Sequence, residues 1–221
     1  MIFNLWKEKY GDDIFYFLFE QKFRGESKII KEWQKIYLDY VKQAYFKNID
    51  KKWLDIGCGR GEFLELLKEN SVPSIGVDVN QVNIEICRTK GLNVEKTDGI
   101  EFLKKTEDNS LCGISALQVI EHLDTEILKK FIVLCYQKIS YNGILILETV
   151  NIRNEIASKN FYLDITHKQP IMPEFLKMYL EYVGFNKTKV FYITHESFSR
   201  KIKFADCPYY TVIGIKSNEQ R

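Results

Sequence analysis

Nine residues, Trp53-Leu54-Asp55-Ile56-Gly57-Cys58-Gly59-Arg60-Gly61, constrain this chain more than any other stretch. The apolar run closing on an acid reads as a buried first strand, the alternate glycines as the turn leaving it, and the segment from about Glu62 as a helix. Gly57, Gly59 and Gly61 remove Cβ where backbone must approach a ligand or adopt positive φ, and the first N–H groups of the helix face the same space. A chain folded this way carries the floor of a binding pocket at its first strand-to-helix turn.

The dinucleotide fingerprint G-x-G-x-x-G does not fit, because its third glycine would fall at Glu62, and a carboxylate at a helix N-terminus would repel a pyrophosphate. A glycine-rich turn that binds nothing is the other reading, and the acids further along separate the two. Asp78 closes the short apolar run Pro73 to Val77 about twenty residues on, where an acid at the end of a second strand bonds ribose hydroxyls. Its alternative is an N-cap for the helix from Asn80 to Lys90.

With 221 residues the chain fits one domain with additions, and its net charge of +2, with both signs interleaved, demands neither nucleic acid nor an anionic membrane as partner. The five cysteines lack C-x-x-C spacing and read as reduced core thiols. No metal site is expected. The opening residues are charged too soon for a secretory signal, and no apolar run reaches the roughly 18 to 20 residues of a membrane span. The expectation is a cytoplasmic protein.

Residues 12–48 show a helical, aromatic pattern broken at Arg24-Gly25-Glu26-Ser27, which predicts two helices with Ser27 as a cap for the second. Phe15, Phe19 and Phe23 on one face either bury against the main domain or belong to a lid in which Tyr16, Gln21 and Arg24 take part. Arg24, beside a glycine break, could reach a carboxylate. Strands are predicted over 92–97, 111–117, 143–150, 185–194 and 208–216, the last two as an antiparallel hairpin. A turn at Tyr141-Asn142-Gly143 precedes the fifth strand, and a helix from about Glu174 to Val183 starts after Pro173 and ends at Gly184. Asp98-Gly99 closes the third strand, and Asp98 is at least a turn acid. Gln118, Glu121 and His122 follow the fourth strand, so they face the crevice at the carboxyl ends of a parallel sheet, with His122 either an acid-base group or a helix-start packing residue. The segment Asn160-Phe161-Tyr162-Leu163-Asp164-Ile165-Thr166-His167 is read as a loop forming the acceptor-side wall. His195 and residues 197–201 read as surface.

These residues resemble class I S-adenosylmethionine (SAM) methyltransferases over nearly the whole chain, through Leu54 to Leu64, Gly76-Val77-Asp78, Gln118 to Leu123 and Ile146 to Asn151. More narrowly, Phe19-Glu20-Gln21-Lys22-Phe23-Arg24-Gly25 and the Asn160 to His167 segment resemble methyltransferases of bacterial surface-polysaccharide clusters, with the O-antigen chain terminators as their best-known members. The resemblance implies an α/β, Rossmann-like fold: a seven-stranded, mostly parallel sheet with helices on both faces, an N-terminal helical extension or lid over 1–48 and a SAM-binding domain over 49–221. It implies that Asp98 bonds the adenine amino group with Ile100 against the ring. Asp55, Gly57, Gly59, Gly61, Asp78, Gly99, Gln118 and Arg24 complete the expected cofactor set. Ile165 stands where the subgroup often has proline, while Asp164 and His167 are kept. The kinase and coiled coil of some chain terminators are not found within these residues, so phosphorylation of its own acceptor is not expected.

Methyl transfer is an in-line displacement, and holding the reacting atoms about 3 Å apart contributes roughly 7 to 11 kcal/mol. A sugar hydroxyl benefits from a base, whereas a phosphate oxygen needs only positioning. His122 and His167 could supply that base, since an unperturbed pKa of about 6.5 suits the task, with Glu121 orienting one of them and Tyr162 bonding the acceptor. The expected function is O-methylation of a sugar hydroxyl or sugar phosphate on a bacterial surface glycan or its precursor. Rival readings are a small-molecule methyltransferase of the ubiquinone-biosynthesis kind, a silent SAM-binding partner of glycan-assembly proteins, and a nicotinamide oxidoreductase, which Glu62 disfavours. The sequence assigns no oligomeric state.

Overall fold

The computed structural model describes residues 2–193 and 206–217, so His195 and residues 197–201 lie outside the described residues. Ahead of the sheet come α1 (Ile2–Tyr10), α2 (Asp12–Phe23), α3 (Ser27–Gln34), a 3-10 turn over Lys35–Tyr37 and α4 (Leu38–Phe46). Strand and helix then alternate: β1 (Lys52–Ile56), α5 (Glu62–Glu69), β2 (Ser74–Asp78), α6 (Gln81–Thr89), β3 (Val94–Lys96), α7 (Gly99–Lys105), β4 (Leu111–Leu117), α8 (Thr125–Lys138) and β5 (Ile139–Val150). The chain finishes with α9 (Glu155–Phe161), α10 (Pro173–Val183), β6 (Asn186–Ile193) and β7 (Tyr209–Ile215).

The seven strands lie in the order β3-β2-β1-β4-β5-β7-β6. Pairing is parallel from β3 to β5, and β7 runs antiparallel to both β5 and β6. The strand order reverses between β1 and β4, and it is outside the carboxyl ends of such a pair that an α/β sheet opens a crevice.

Burial on both faces explains why β4 is apolar but for Ser115: each of its seven residues is buried. Alternate side chains serve two cores. Leu145 and Leu147 of β5 join Phe131, Ile132, Leu176 and Leu180 from α8 and α10. Ile144 and Ile146 join Phe63, Leu64, Leu66 and Leu67 from α5 on the other face. All five cysteines are free and buried, and no helix of the described residues is long and apolar enough to cross a membrane.

The N-terminal region departs from the two helices predicted. Gly11 (φ 58) and Gly25 (φ 107) break it, and the 3-10 turn separates α3 from α4. Ser27 is not the cap; Glu26 holds that position without a side-chain bond, and the Ser27 hydroxyl donates to Glu62 Oε1 at 2.6 Å instead. Packing also crosses residue 48, because Tyr37, Val41 and Ala44 share a core with Trp53 and Phe63. The stretch that lies over the crevice is α2. Nor does a turn precede the fifth strand: β5 begins at Ile139, and Asn142 (φ 65) sits in a bulge where pairing jumps from Leu111↔Ile139 to Gly113↔Ile144. The short helix α9 stands where no element was expected.

Trp53 explains a glycine inside β4. Its indole lies across Gly113 and donates to Ser115 Oγ at 2.9 Å, and a Cβ on Gly113 would stand 2.2 Å from Trp53 Cζ3. The ring is fully buried and cannot retreat. Gly113→Ala is expected to lower the unfolding free energy by about 3 kcal/mol, the upper end for an overpacked core, and an unchanged urea midpoint would contradict this packing.

Candidate functional site

Two adjoining cavities open at the carboxyl ends of β1 and β4, one of about 760 Å³ over the glycine turn and one of about 370 Å³ beyond it. Arg24, Gln118, His122 and Asp164 line both.

In the first cavity the turn is built from Gly57 (φ 65) and Gly59 (φ 51). A Cβ on Gly57 would strike Val119 at 2.4 Å. Asp78 ties the next strand to this turn: Oδ2 accepts from the Gly59 amide and Oδ1 from the Asn80 amide, both at 2.8 Å. Asn80, not Asp78, caps α6, accepting from the Val82 and Asn83 amides. Asp78 is therefore left to line the cavity, with its pKa raised to about 6 by burial. Asp98 caps α7 through Oδ1, a role not expected of it, and together with Gly99 it lines the cavity.

Four expected cofactor and turn residues take other places. Asp55 is 3% exposed, accepts from Ser115 Oγ at 2.6 Å and lies below the turn, outside the lining. Gly61 is glycine for packing, since it caps α5 at φ 83 and a Cβ there would lie 2.5 Å from Leu92 Cδ1 and 2.8 Å from Cys87 Sγ. Ile100 packs against the core under α7, and Val79 and Val119 supply apolar lining instead. Glu62 does not face the cavity at all. It is buried, paired with Arg60 Nε at 2.7 Å and bonded by Ser27, so it locks the Gly25 break to the turn. A diphosphate is disfavoured for a different reason: Asp12, Asp13, Glu20, Asp78, Asp98 and Asp164 all line this cavity.

Arg24 is the cation among these acids. Nη1 pairs with Glu20 Oε1 at 3.3 Å, and Nη2 donates to the Leu117 carbonyl at 3.4 Å. Burial opposes its charge, but Glu20, Glu62 and Glu148 outweigh burial and push its pKa up. The side chain also reaches the glycine turn, with Nη1 3.8 Å from where a Cβ of Gly59 would be. Helix α2 is pinned over the cavity by Asp13, whose carbonyl accepts from Asn80 Nδ2 and whose carboxylate accepts from the Gln81 amide, both at 2.8 Å. Its Phe15 and Phe23 stay exposed, so the core-packing reading fails for them, while Phe19 lines both cavities.

The second cavity brings His122 and His167 together, with ring centroids 4.7 Å apart. Burial, followed by the neighbouring His167, depresses the His122 pKa to about 4. His167 Nδ1 bonds the Phe161 carbonyl at 2.7 Å. Glu121 is fully buried and its pKa is raised to about 7 by burial; Oε2 accepts from Thr149 Oγ1 at 2.8 Å, and Oε1 has no hydrogen-bond partner among the described residues. One carboxyl oxygen is thus held by Thr149, while the Glu121 backbone carbonyl accepts from the Lys168 amide at 2.9 Å and anchors the wall. Tyr162 is 75% exposed and lines neither cavity, because α9 ends at Phe161 and turns the next side chain outward. Donor atoms of Glu121, His122 and His167 lie within 4.8 Å of one another, the one set of metal-binding type among the described residues. Trp33 and Tyr209 line the second cavity and were not expected there; Thr166, expected only as part of the wall segment, lines the first. The signal for Thr166 was its place two residues after Asp164, where an Asx turn forms.

The chain matches the methyltransferase domain family over residues 26–190. A SAM-dependent methyltransferase from Archaeoglobus fulgidus is 37% identical, with a TM-score of 0.80, and the match covers 91% of this chain and 99% of that one. Among curated proteins, ubiquinone biosynthesis O-methyltransferases of Pasteurella multocida and Rickettsia typhi are 23% and 30% identical. Each match covers 58% of this chain, and 58% and 54% of those relatives, so the chain spans little more than half of their length.

Asp55 gives this site a pH signature. Burial raises its pKa to about 7 from an ordinary 3.8, so between those values the folded protein holds a proton that the unfolded chain has released. That contribution is full below the unfolded value and is lost as pH rises through about 7. The melting temperature of the SAM-free protein is expected to fall more steeply from pH 6 to 8 than that of Asp55→Asn. Parallel curves would contradict the buried, protonated carboxyl.

Proposed function

The chain belongs to the methyltransferase domain family, and from that premise we propose that it moves the methyl group of SAM to an uncharged hydroxyl on a sugar ring of a glycan or glycan precursor. The first cavity suits SAM: Arg24 beside the glycine turn would hold the amino-acid carboxylate, Asp78 the ribose hydroxyls and Asp98 the adenine amino group. Bound there, SAM supplies a methyl carbon on a sulfonium sulfur.

The acceptor reading rests on one observation, the lining of the second cavity. Aromatic faces from Phe19, Phe23, Trp33, Phe161 and Tyr209 stand among the carboxyl groups of Glu20, Glu121, Glu148, Asp164 and Asp206. Besides the two histidines, Arg24 is the sole cationic side chain that the described residues bring to that lining, and Glu20 already pairs with it. This acidic lining disfavours an anionic acceptor, so the reading takes the sugar hydroxyl rather than the sugar phosphate. Stacked rings and hydrogen-bond acceptors suit a neutral polyol, whose hydroxyls donate. His122, kept neutral by burial, would receive the proton of the attacking hydroxyl. A second reading is favoured by the names of the ubiquinone relatives: a phenolic hydroxyl of a quinone precursor would use the same aromatic faces.

Release of S-adenosylhomocysteine tests the choice with three probes: neutral mannose oligosaccharides, mannose 1-phosphate and catechol. Turnover is expected with the oligosaccharides and is expected to fall about a hundredfold in His122→Ala, the low end for a lost general base. Turnover confined to the phosphate or to catechol would overturn the sugar reading.

A further inference from the structure

Asp164 lines both cavities and Thr166 the first; the assignments above count Asp164 only among the acidic groups and do not use Thr166. Thr166 Oγ1 stands 2.6 Å from Asp164 Oδ1 and 2.8 Å from His122 Nδ1. A hydroxyl has one proton to give, and an ionised carboxylate has none. Burial opposes the Asp164 charge, but the Thr166 hydroxyl and amide and the Tyr16 hydroxyl outweigh it and hold the carboxyl below the usual range. The Thr166 proton therefore points at Asp164, and the remaining lone pair of Oγ1 accepts from Nδ1–H of His122. We infer that Thr166 and Asp164 form a relay that fixes His122 in its Nδ1–H tautomer, so that Nε2 is the nitrogen left to take a proton.

This inference rests on the reading of His122 as proton acceptor. As the acceptor oxygen bonds the methyl carbon, the carbon–sulfur bond breaks with its electron pair left on sulfur, and the hydroxyl proton passes to Nε2. The charge gained by the imidazole is then offset, through Thr166, by Asp164. His167 meets the same carboxylate directly: its Nε2 stands 3.8 Å from Asp164 Oδ2, while its Nδ1 bonds the neutral Phe161 carbonyl, so it lacks the hydroxyl relay. Tyr16 completes the carboxylate, donating to Asp164 Oδ2 at 2.9 Å from α2. The helix over the cofactor cavity thereby reaches the same carboxylate that orients the base. Thr166 and Asp164 are positioning residues, not catalytic ones.

The tautomer can be read directly. In two-bond proton–nitrogen spectra of the full chain carrying ¹⁵N-labelled histidine, which has three histidines, the His122 signals are the set lost in His122→Gln. They are expected to show a protonated Nδ1 and a bare Nε2. Thr166→Ser should keep that pattern, and Thr166→Val should move it toward the Nε2–H form that a free histidine side chain prefers. A wild-type His122 protonated at Nε2, or a pattern unmoved in Thr166→Val, overturns the relay. With SAM and the neutral oligosaccharides, Thr166→Val should lower kcat roughly tenfold or more while leaving the KM for SAM unchanged, and Thr166→Ser should restore kcat. A tautomer that shifts without any change in kcat would keep the relay and sink the role of His122 as base.

Discussion

A single half-buried guanidinium holds this site together. Arg24 enters from the end of α2 and sits where carboxyl groups from six parts of the chain converge. Its charge pulls down the pKa values of Asp55, Asp78 and Glu121, each of which burial alone would push further up, and Glu20, Glu62 and Glu148 raise its own. Acids buried at the mouth of a sheet without that cation would repel one another and take up protons. The same charge stands beside the glycine turn, where an amino-acid carboxylate needs a partner.

The placement of Arg24 follows from a chain of ordinary interactions. Gly25 breaks the helical run at a φ that favours glycine. Arg60 then donates to the Gly25 carbonyl at 3.1 Å, and Glu62, paired with Arg60, accepts from Ser27. This clasp fixes the break to the glycine turn, so that Arg24 on one side of it reaches the Leu117 carbonyl at the end of β4. On the other side, α3 leads to Tyr37, Val41 and Ala44, which are buried in the core with Trp53. One end of the segment ahead of the sheet is thus core, and the other covers the crevice and meets Asp164 from near the opposite end of the chain.

The sheet and the glycine turn were legible because parallel strands buried on both faces must be continuously apolar, and β4, but for Ser115, and the 144–147 stretch of β5 obey that rule. The positions of Asp78, Asp98, Gln118 and His122 followed from the rule that strand ends face the crevice. Side-chain assignments failed where a residue had a tertiary partner remote in sequence. Glu62 was read as facing a ligand, but its partners Arg60 and Ser27 turn it into the protein. Asp55 has Ser115 across the sheet, and Gly61 is determined by Leu92 and Cys87 rather than by a ligand. Tyr162 was chosen for its chemistry, yet the end of α9 decides its direction. Phe15 and Phe23 fit a helical stripe, and a stripe alone does not say whether anything lies opposite it.

The claim on which these relationships converge is that Arg24 holds the cofactor carboxylate, and calorimetric titration of SAM into Arg24→Met tests it most directly. A charged hydrogen bond lost from such a site is worth about 1.5 to 3 kcal/mol, so SAM is predicted to bind roughly ten- to a hundredfold more weakly to a variant whose circular dichroism matches wild type. An unchanged Kd in that folded variant would contradict the account.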